Sequence, residues 1–126
     1  MNSIIERFEN IKSIINNSNV KIIAVSKTFN YEHISPLVKL GHVHFGENKV
    51  QEAQSKWNDI KKTFPSINLH MIGKLQSNKA KEAINLFDYI HSLDTQKLAS
   101  LLAKHENTAN KKLKYFIQVN IGREKQ

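Results

Sequence analysis

Five short runs rich in Ile, Val, Leu and Phe alternate along this chain with segments whose apolar residues recur every three or four positions. That alternation narrows the available folds more than any other feature. The runs are "VKIIAVSK" (20–27), "HVHFGEN" (42–48), "INLHMIG" (67–73), "YIHSL" (89–93) and "LKYFIQVNI" (113–121). They read as strands, and the first is apolar on both faces, as in a parallel sheet covered by helices. Between them, Ile4, Phe8, Ile11 and Ile15 stripe a helix over 3–17. Asn30 caps a second helix whose inner side carries Ile34, Leu37 and Val38, and Gly41 ends it. Val50, Ala53, Trp57 and Ile60 mark a helix over 49–63 that Pro65 stops. Ala80, Ala83, Ile84 and Phe87 mark one over 77–87. Leu98, Leu101 and Leu102 follow a cap at Asp94, and "ENTANKK" reads as a polar turn. The expectation is an α/β protein with a parallel sheet and right-handed crossovers. It forms a single incomplete domain over 1–126, with a helix first and βα units from residue 20. No helix follows strand five, which is therefore expected at a bare edge, as in a truncated sequence.

Composition narrows the function classes. The chain has no Cys, which removes disulfides, thiolate chemistry and Cys-based metal sites. No apolar run reaches the ~20 residues that span a bilayer. Glu6 and Glu9 interrupt the apolar N-terminal stretch, unlike the core of a secretory leader. A cytoplasmic soluble protein is expected. The net charge of +8 invites a nucleic-acid reading. However, the basic residues are 17 Lys and 2 Arg, scattered over every segment, and the densest patch, "KLQSNKAK", holds no aromatic. Neither nucleic acid nor a membrane is expected as a partner, although the charge would attract small anions.

Polar residues gather where the strands end: Lys27, then Glu47 and Asn48, His70 through Gly73, Ser92 and Asp94, and Asn120. In parallel α/β folds those ends share one face, where ligands bind. Caps and turns also favour Asn, Asp and Ser, so any one of these has an ordinary explanation. Lys27 stands out. Closing a strand apolar on both faces, its amine would be partly desolvated, which disfavours the ammonium and leaves a nucleophile for an aldehyde. The competing explanation is a lysine whose stem packs on an apolar wall while its head reaches water. His42 and His44 share a strand face but have no third ligand in reach by sequence, so no metal site is expected. "IGKLQS" lacks the spacing of a phosphate-binding loop.

"IIAVSKT" (22–28), "FGENKVQEA" (45–53), "HMIGKLQSNKAK" (70–81), "IHSLDTQKLA" (90–99) and "IQVNIG" (117–122), in this order and spacing, resemble the successive signature segments of the pyridoxal 5′-phosphate homeostasis protein family. The resemblance covers the chain from Val20 onward, and "FGEN-x-VQE" with "IG-x-LQ-x-NK" is a specific pair. Leu69 departs from it, since the family usually has an aromatic before the His, and looser packing is expected there. The resemblance implies a (β/α)8 TIM barrel of fold type III, related to the barrel domain of alanine racemase and present here in part. It implies that Lys27 forms the Schiff base with pyridoxal 5′-phosphate, and that Asn48, His70 and Ser92 line the cofactor pocket. It further implies a carrier that buffers the cofactor in the cell and delivers it to apo-enzymes that require it, without a robust reaction of its own. The phosphate cradle would lie on further strands, so this segment is expected to bind the cofactor weakly and to associate through its open edge. An enzyme acting on amino acids, such as a racemase, is the alternative. Racemisation needs an acid/base group on each face of the Cα, and nothing marks Tyr31, Tyr89 or Tyr115 for that task. A basic RNA-binding protein, with affinity falling steeply in salt, is a third class.

Overall fold

The computed structural model describes residues 3–17, 19–119 and 121–122. Its elements follow the expected alternation: α1 (Ser3–Ile15), β1 (Ala24–Val25), α2 (Tyr31–Leu40), β2 (His44–Glu47), α3 (Val50–Thr63), β3 (Asn68–Met71), α4 (Ala80–Leu86), β4 (Tyr89–Leu93), α5 (Gln96–Ala109) and β5 (Lys114–Ile117). The expected end of the fifth strand at Asn120 lies outside the described residues.

All neighbouring strands pair in parallel, in the order β1-β2-β3-β4-β5. A sheet in which every strand lies beside its predecessor winds in one direction, as a barrel does, whereas a doubly wound sheet reverses part-way. The chain is thus an arc of a (β/α) barrel. The core lies between the helices and the outer sheet face, where Phe45, Leu69, Met71 and Ile90 meet Ala53, Trp57, Ile84, Leu98 and Leu102. Leu69 is fully buried, so the packing closes around the smaller side chain. Among the described residues, no helix is long and apolar enough to cross a membrane.

Local chemistry sets the helix ends. Asn30 caps α2 by accepting from the His33 N–H at 3.1 Å. Gly41 closes it at φ 103°, a conformation that costs glycine little, and donates to the Leu37 and Val38 carbonyls. The cap of α5 is Thr95, not Asp94: its hydroxyl accepts from the Leu98 N–H at 3.1 Å. The stretch "ENTA", expected in a turn, continues α5 by one more turn to Asn110, which adopts the left-handed region at φ 51°. The helical placement lets Glu106 Oε2 accept from the Leu113 N–H and the Tyr115 hydroxyl, both at 2.8 Å, which ties the helix end to β5. The segment 77–87 opens with a 3-10 turn, Ser77–Lys79, before α4.

Two elements are less covered than the rest of the sheet and its helices. The stripe of α1 covers little: none of its residues is fully buried, because the helix packs on the end of α2 and on His42, which Phe8 meets edge-on at 4.7 Å. Ile11 and Ile15 stay exposed, and Ile15 lines a cleft of about 700 Å³. The first strand was expected to be covered on both faces, yet Val25 is 50% exposed, because none of the described residues packs over it on the inner face of the arc. The other margin is equally open, with Phe116 56%, Ile117 73% and Val119 69% exposed on and after β5.

Thr95→Ala is expected to lower the unfolding free energy by about 1 kcal/mol, and Asp94→Ala by less than about 0.5 kcal/mol. Urea denaturation of both variants checks this. The reverse order would mean that Asp94 is the cap in solution.

Candidate functional site

Strand pleating divides the residues near each strand end between two faces. On the helix side, Ser26, Glu47, Lys56 and Trp57 form a buried polar knot. Glu47 is fully buried, and its Oε2 accepts from Ser26 Oγ at 2.6 Å, Lys56 Nζ at 2.9 Å and Trp57 Nε1 at 2.9 Å. Lys56 Nζ also donates to the Ser26 carbonyl at 2.6 Å. In the backbone, the Ser26 N–H donates to the Gly46 carbonyl at 2.9 Å and the Ile72 N–H to the Glu47 carbonyl at 3.0 Å. The knot therefore links the ends of β1, β2 and β3 to α3.

The sequence-derived candidates are the next residues along the chain. Lys27 follows Ser26, half-buried in the turn beyond β1. Asn48 follows Glu47 and is also half-buried. Gly73 approaches it so closely that a Cβ at position 73 would lie 2.6 Å from the Asn48 carbonyl oxygen and 3.0 Å from its Oδ1. The Gly73 carbonyl in turn accepts from Ser92 Oγ at 2.7 Å. Asn48, Gly73 and Ser92 thus make one continuous contact across the mouths of β2, β3 and β4. Beside it lies a cavity of about 470 Å³ whose lining includes Asn48, Gly73, Gln76 and the basic Lys49, Lys74 and Lys79. Lys27 lies on the β1 side of Asn48, outside that lining. Together the site offers a primary amine, an amide, a hydroxyl and a positive surround, which suits a small anionic carbonyl compound.

His70 occupies a different place. It is buried mid-strand, with Nε2 2.9 Å from His44 Nδ1 and Nδ1 2.8 Å from His91 Nε2. The three imidazoles form an array across β2, β3 and β4. Tyr89 stacks on His70 with centroids 4.1 Å apart, and Phe116 stacks on His91 at 4.5 Å. The rings meet nitrogen to nitrogen, as hydrogen-bonded partners do. Among the described residues, no group of three His, Cys, Asp or Glu is placed to hold a metal ion. Burial, with His44 and His91 adding to it against an opposing Asp88, pushes His70 down to about 4. Burial also lowers His44, with Lys21 contributing, and lowers His91.

Sequence reasoning singled out neither Ser26, Lys56 nor His91. The first and last carry a usable signal: each directly adjoins a candidate, so it occupies the opposite face of the same strand end. Lys56 carries none, because its role depends on where α3 lies against β2.

A family model described as alanine racemase, N-terminal domain, matches residues 1–125. Curated relatives named pyridoxal phosphate homeostasis protein include one from Buchnera aphidicola subsp. Schizaphis graminum, 39% identical over 105 residues, or 83% of this chain and 45% of the relative. Another, from Vibrio alginolyticus, is 38% identical over 107 residues, 83% of this chain and 46% of its own length. The chain thus spans about half the length of these relatives. Among solved structures, PipY of Synechococcus elongatus with PLP bound superposes with a TM-score of 0.87 at 37% identity, covering 94% of this chain and 55% of that one.

Two outcomes are expected from this geometry. Gly73→Ala should cost about 2–4 kcal/mol in urea denaturation, because backbone at Asn48 must move to admit the methyl group. A cost under about 0.5 kcal/mol would contradict the close approach. For His70, a folded-state pKa below the unfolded value means that its neutral form stabilises the fold above pH 6.5. That stability is lost as pH falls toward 4, by roughly 3 kcal/mol. NMR titration of the imidazole signals, alongside urea midpoints from pH 7 to pH 4, checks it. A His70 that titrates at the ordinary value would refute the buried array.

Proposed function

The chain belongs to the alanine racemase N-terminal domain family, and from that premise we propose that it is a pyridoxal 5′-phosphate carrier segment that holds the cofactor through a Schiff base with Lys27. Its role is intracellular homeostasis of the cofactor, in the cytoplasm, by buffering it and passing it to apo-enzymes. The names of the relatives and the bound PLP of PipY support this reading. The observation that carries it is the convergence of four strand ends: the knot sets Ser26 against Glu47, the residues that precede Lys27 and Asn48, while Gly73 joins Asn48 to Ser92.

The residues fit the group. When bound, the cofactor supplies an aldehyde that condenses with a primary amine with loss of water. Lys27, half-buried in the turn beyond β1, would supply that amine. The Asn48 amide can both donate and accept. Ser92 donates to Gly73 and keeps its oxygen lone pairs free to accept. Gly73 keeps the approach open, since any side chain there would collide with Asn48. Lys49, Lys74 and Lys79 raise the local concentration of a phosphate-bearing ligand. His70, which the resemblance places in the cofactor pocket, lies within β3 and pairs with His44 and His91.

The test is the visible absorbance of the protein mixed with pyridoxal 5′-phosphate. Wild type should show a band of the protonated imine, and Lys27→Ala should lack it at equal concentrations. Asn48→Ala and Ser92→Ala should retain the band with affinity weakened on the order of tenfold, a loss of about 1–2 kcal/mol per polar contact. Identical spectra for wild type and Lys27→Ala would defeat the reading.

A further inference from the structure

The turn that carries Lys27 is strained and doubly clamped. Thr28, immediately after the lysine, has φ 67°, in the left-handed region that a β-branched residue rarely enters. Such a conformation persists only where surrounding contacts enforce it, and it collects at functional sites. Two sets of contacts enforce this one. On one side, Glu52 Oε1 of α3 accepts from the Thr28 N–H at 2.6 Å. On the other, Ser26 is fixed by Glu47 Oε2 at its hydroxyl and by Lys56 Nζ at its carbonyl. Lys56 reaches both carboxylates, at 2.9 Å from Glu47 and 3.8 Å from Glu52. The Lys56 and Glu47 side chains are almost fully buried, so this charge pair is little screened.

A Thr in an ordinary turn, or a Gly in this one, would connect β1 to α2 with less strain. The strained residue sits next to the one side chain whose direction matters, and every clamp acts on the residue before or after it. We propose that Glu47, Lys56 and Glu52 are positioning residues which, through Ser26 and Thr28, hold Lys27 in the direction from which its amine meets the aldehyde of pyridoxal 5′-phosphate. The clamp acts on the backbone on either side of the lysine, so it sets direction and leaves the amine's own chemistry alone. This inference rests on the assignment of Lys27 as the Schiff-base residue.

The test uses the whole chain with pyridoxal 5′-phosphate as the probe, and compares wild type, Thr28→Gly and Glu52→Ala. The readouts are the rate of imine formation, the position of the label after borohydride reduction, and the urea midpoint. Thr28→Gly separates positioning from structure. It should leave the midpoint unchanged or raise it, while slowing imine formation at Lys27 about tenfold and spreading the label to other lysines. Glu52→Ala, at a partly exposed position, should slow the reaction without unfolding the protein. Variants that label Lys27 as fast and as selectively as wild type would overturn the positioning role and leave the assignment of Lys27 intact. Wild type that fails to label Lys27 would overturn both.

Discussion

One carboxylate oxygen, Glu47 Oε2, accepts three hydrogen bonds from two other elements, and the arrangement of the strand ends depends on it. Ser26 donates from beyond β1, while Lys56 and Trp57 donate from successive positions on α3. A carboxylate with no solvent access is costly unless its partners are present, and removing one partner of a buried ion pair costs about 3–5 kcal/mol. Its other oxygen, Oε1, is buried without a hydrogen-bond partner among the described residues. A polar knot of this kind fixes relative position more than it adds stability. An apolar cluster tolerates a shift of an ångström, whereas three charge-assisted hydrogen bonds do not. What it positions is the pair of residues that follow, Lys27 and Asn48.

The two faces of the arc differ in what closes them. The helix side is packed and carries the knot. The inner side carries the three histidines, Tyr89 and the apolar residues of β5, and much of it is open. The imidazoles pair nitrogen to nitrogen, and burial lowers the pKa of each, which favours their neutral forms on this face. Three lysines, Lys49, Lys74 and Lys79, line the cavity beside Asn48 together with Glu52. One sheet therefore combines a rigid, ion-paired outer layer with an accessible, neutral inner one, and the candidate site lies where the two meet.

Much of this was legible in the sequence, and what was not has physical reasons. The alternation of apolar runs with helical stripes locates every strand, because a short run rich in Ile, Val, Leu and Phe is distinct from apolar residues recurring every three or four positions. Asn30, Gly41 and Trp57 read correctly because caps and stripes are local properties. Thr95 in place of Asp94 is a choice between adjacent cap formers that only the helix phase decides. The extra turn of α5 depends on Glu106 reaching β5, a tertiary contact. Burial of the first strand on both faces was overread, since a run of apolar residues does not show whether anything covers each face. At the site, the places of Lys27, Asn48 and Ser92 at strand ends follow from the alternation of runs and stripes, His70 lies within β3, and a cofactor role for any of them rests on the family resemblance. The knot beneath them and the left-handed Thr28 were not legible, because no residue type in "AVSKT" signals a positive φ.

The most direct measurement is a peptide map after borohydride reduction of the protein with pyridoxal 5′-phosphate. The chain has 17 lysines competing for the aldehyde, so chance labelling would spread over many of them. Label concentrated on the peptide containing Lys27, at substoichiometric cofactor, is the expected result. Label distributed among the exposed lysines, with Lys27 no more reactive than the rest, would contradict the assignment of the site.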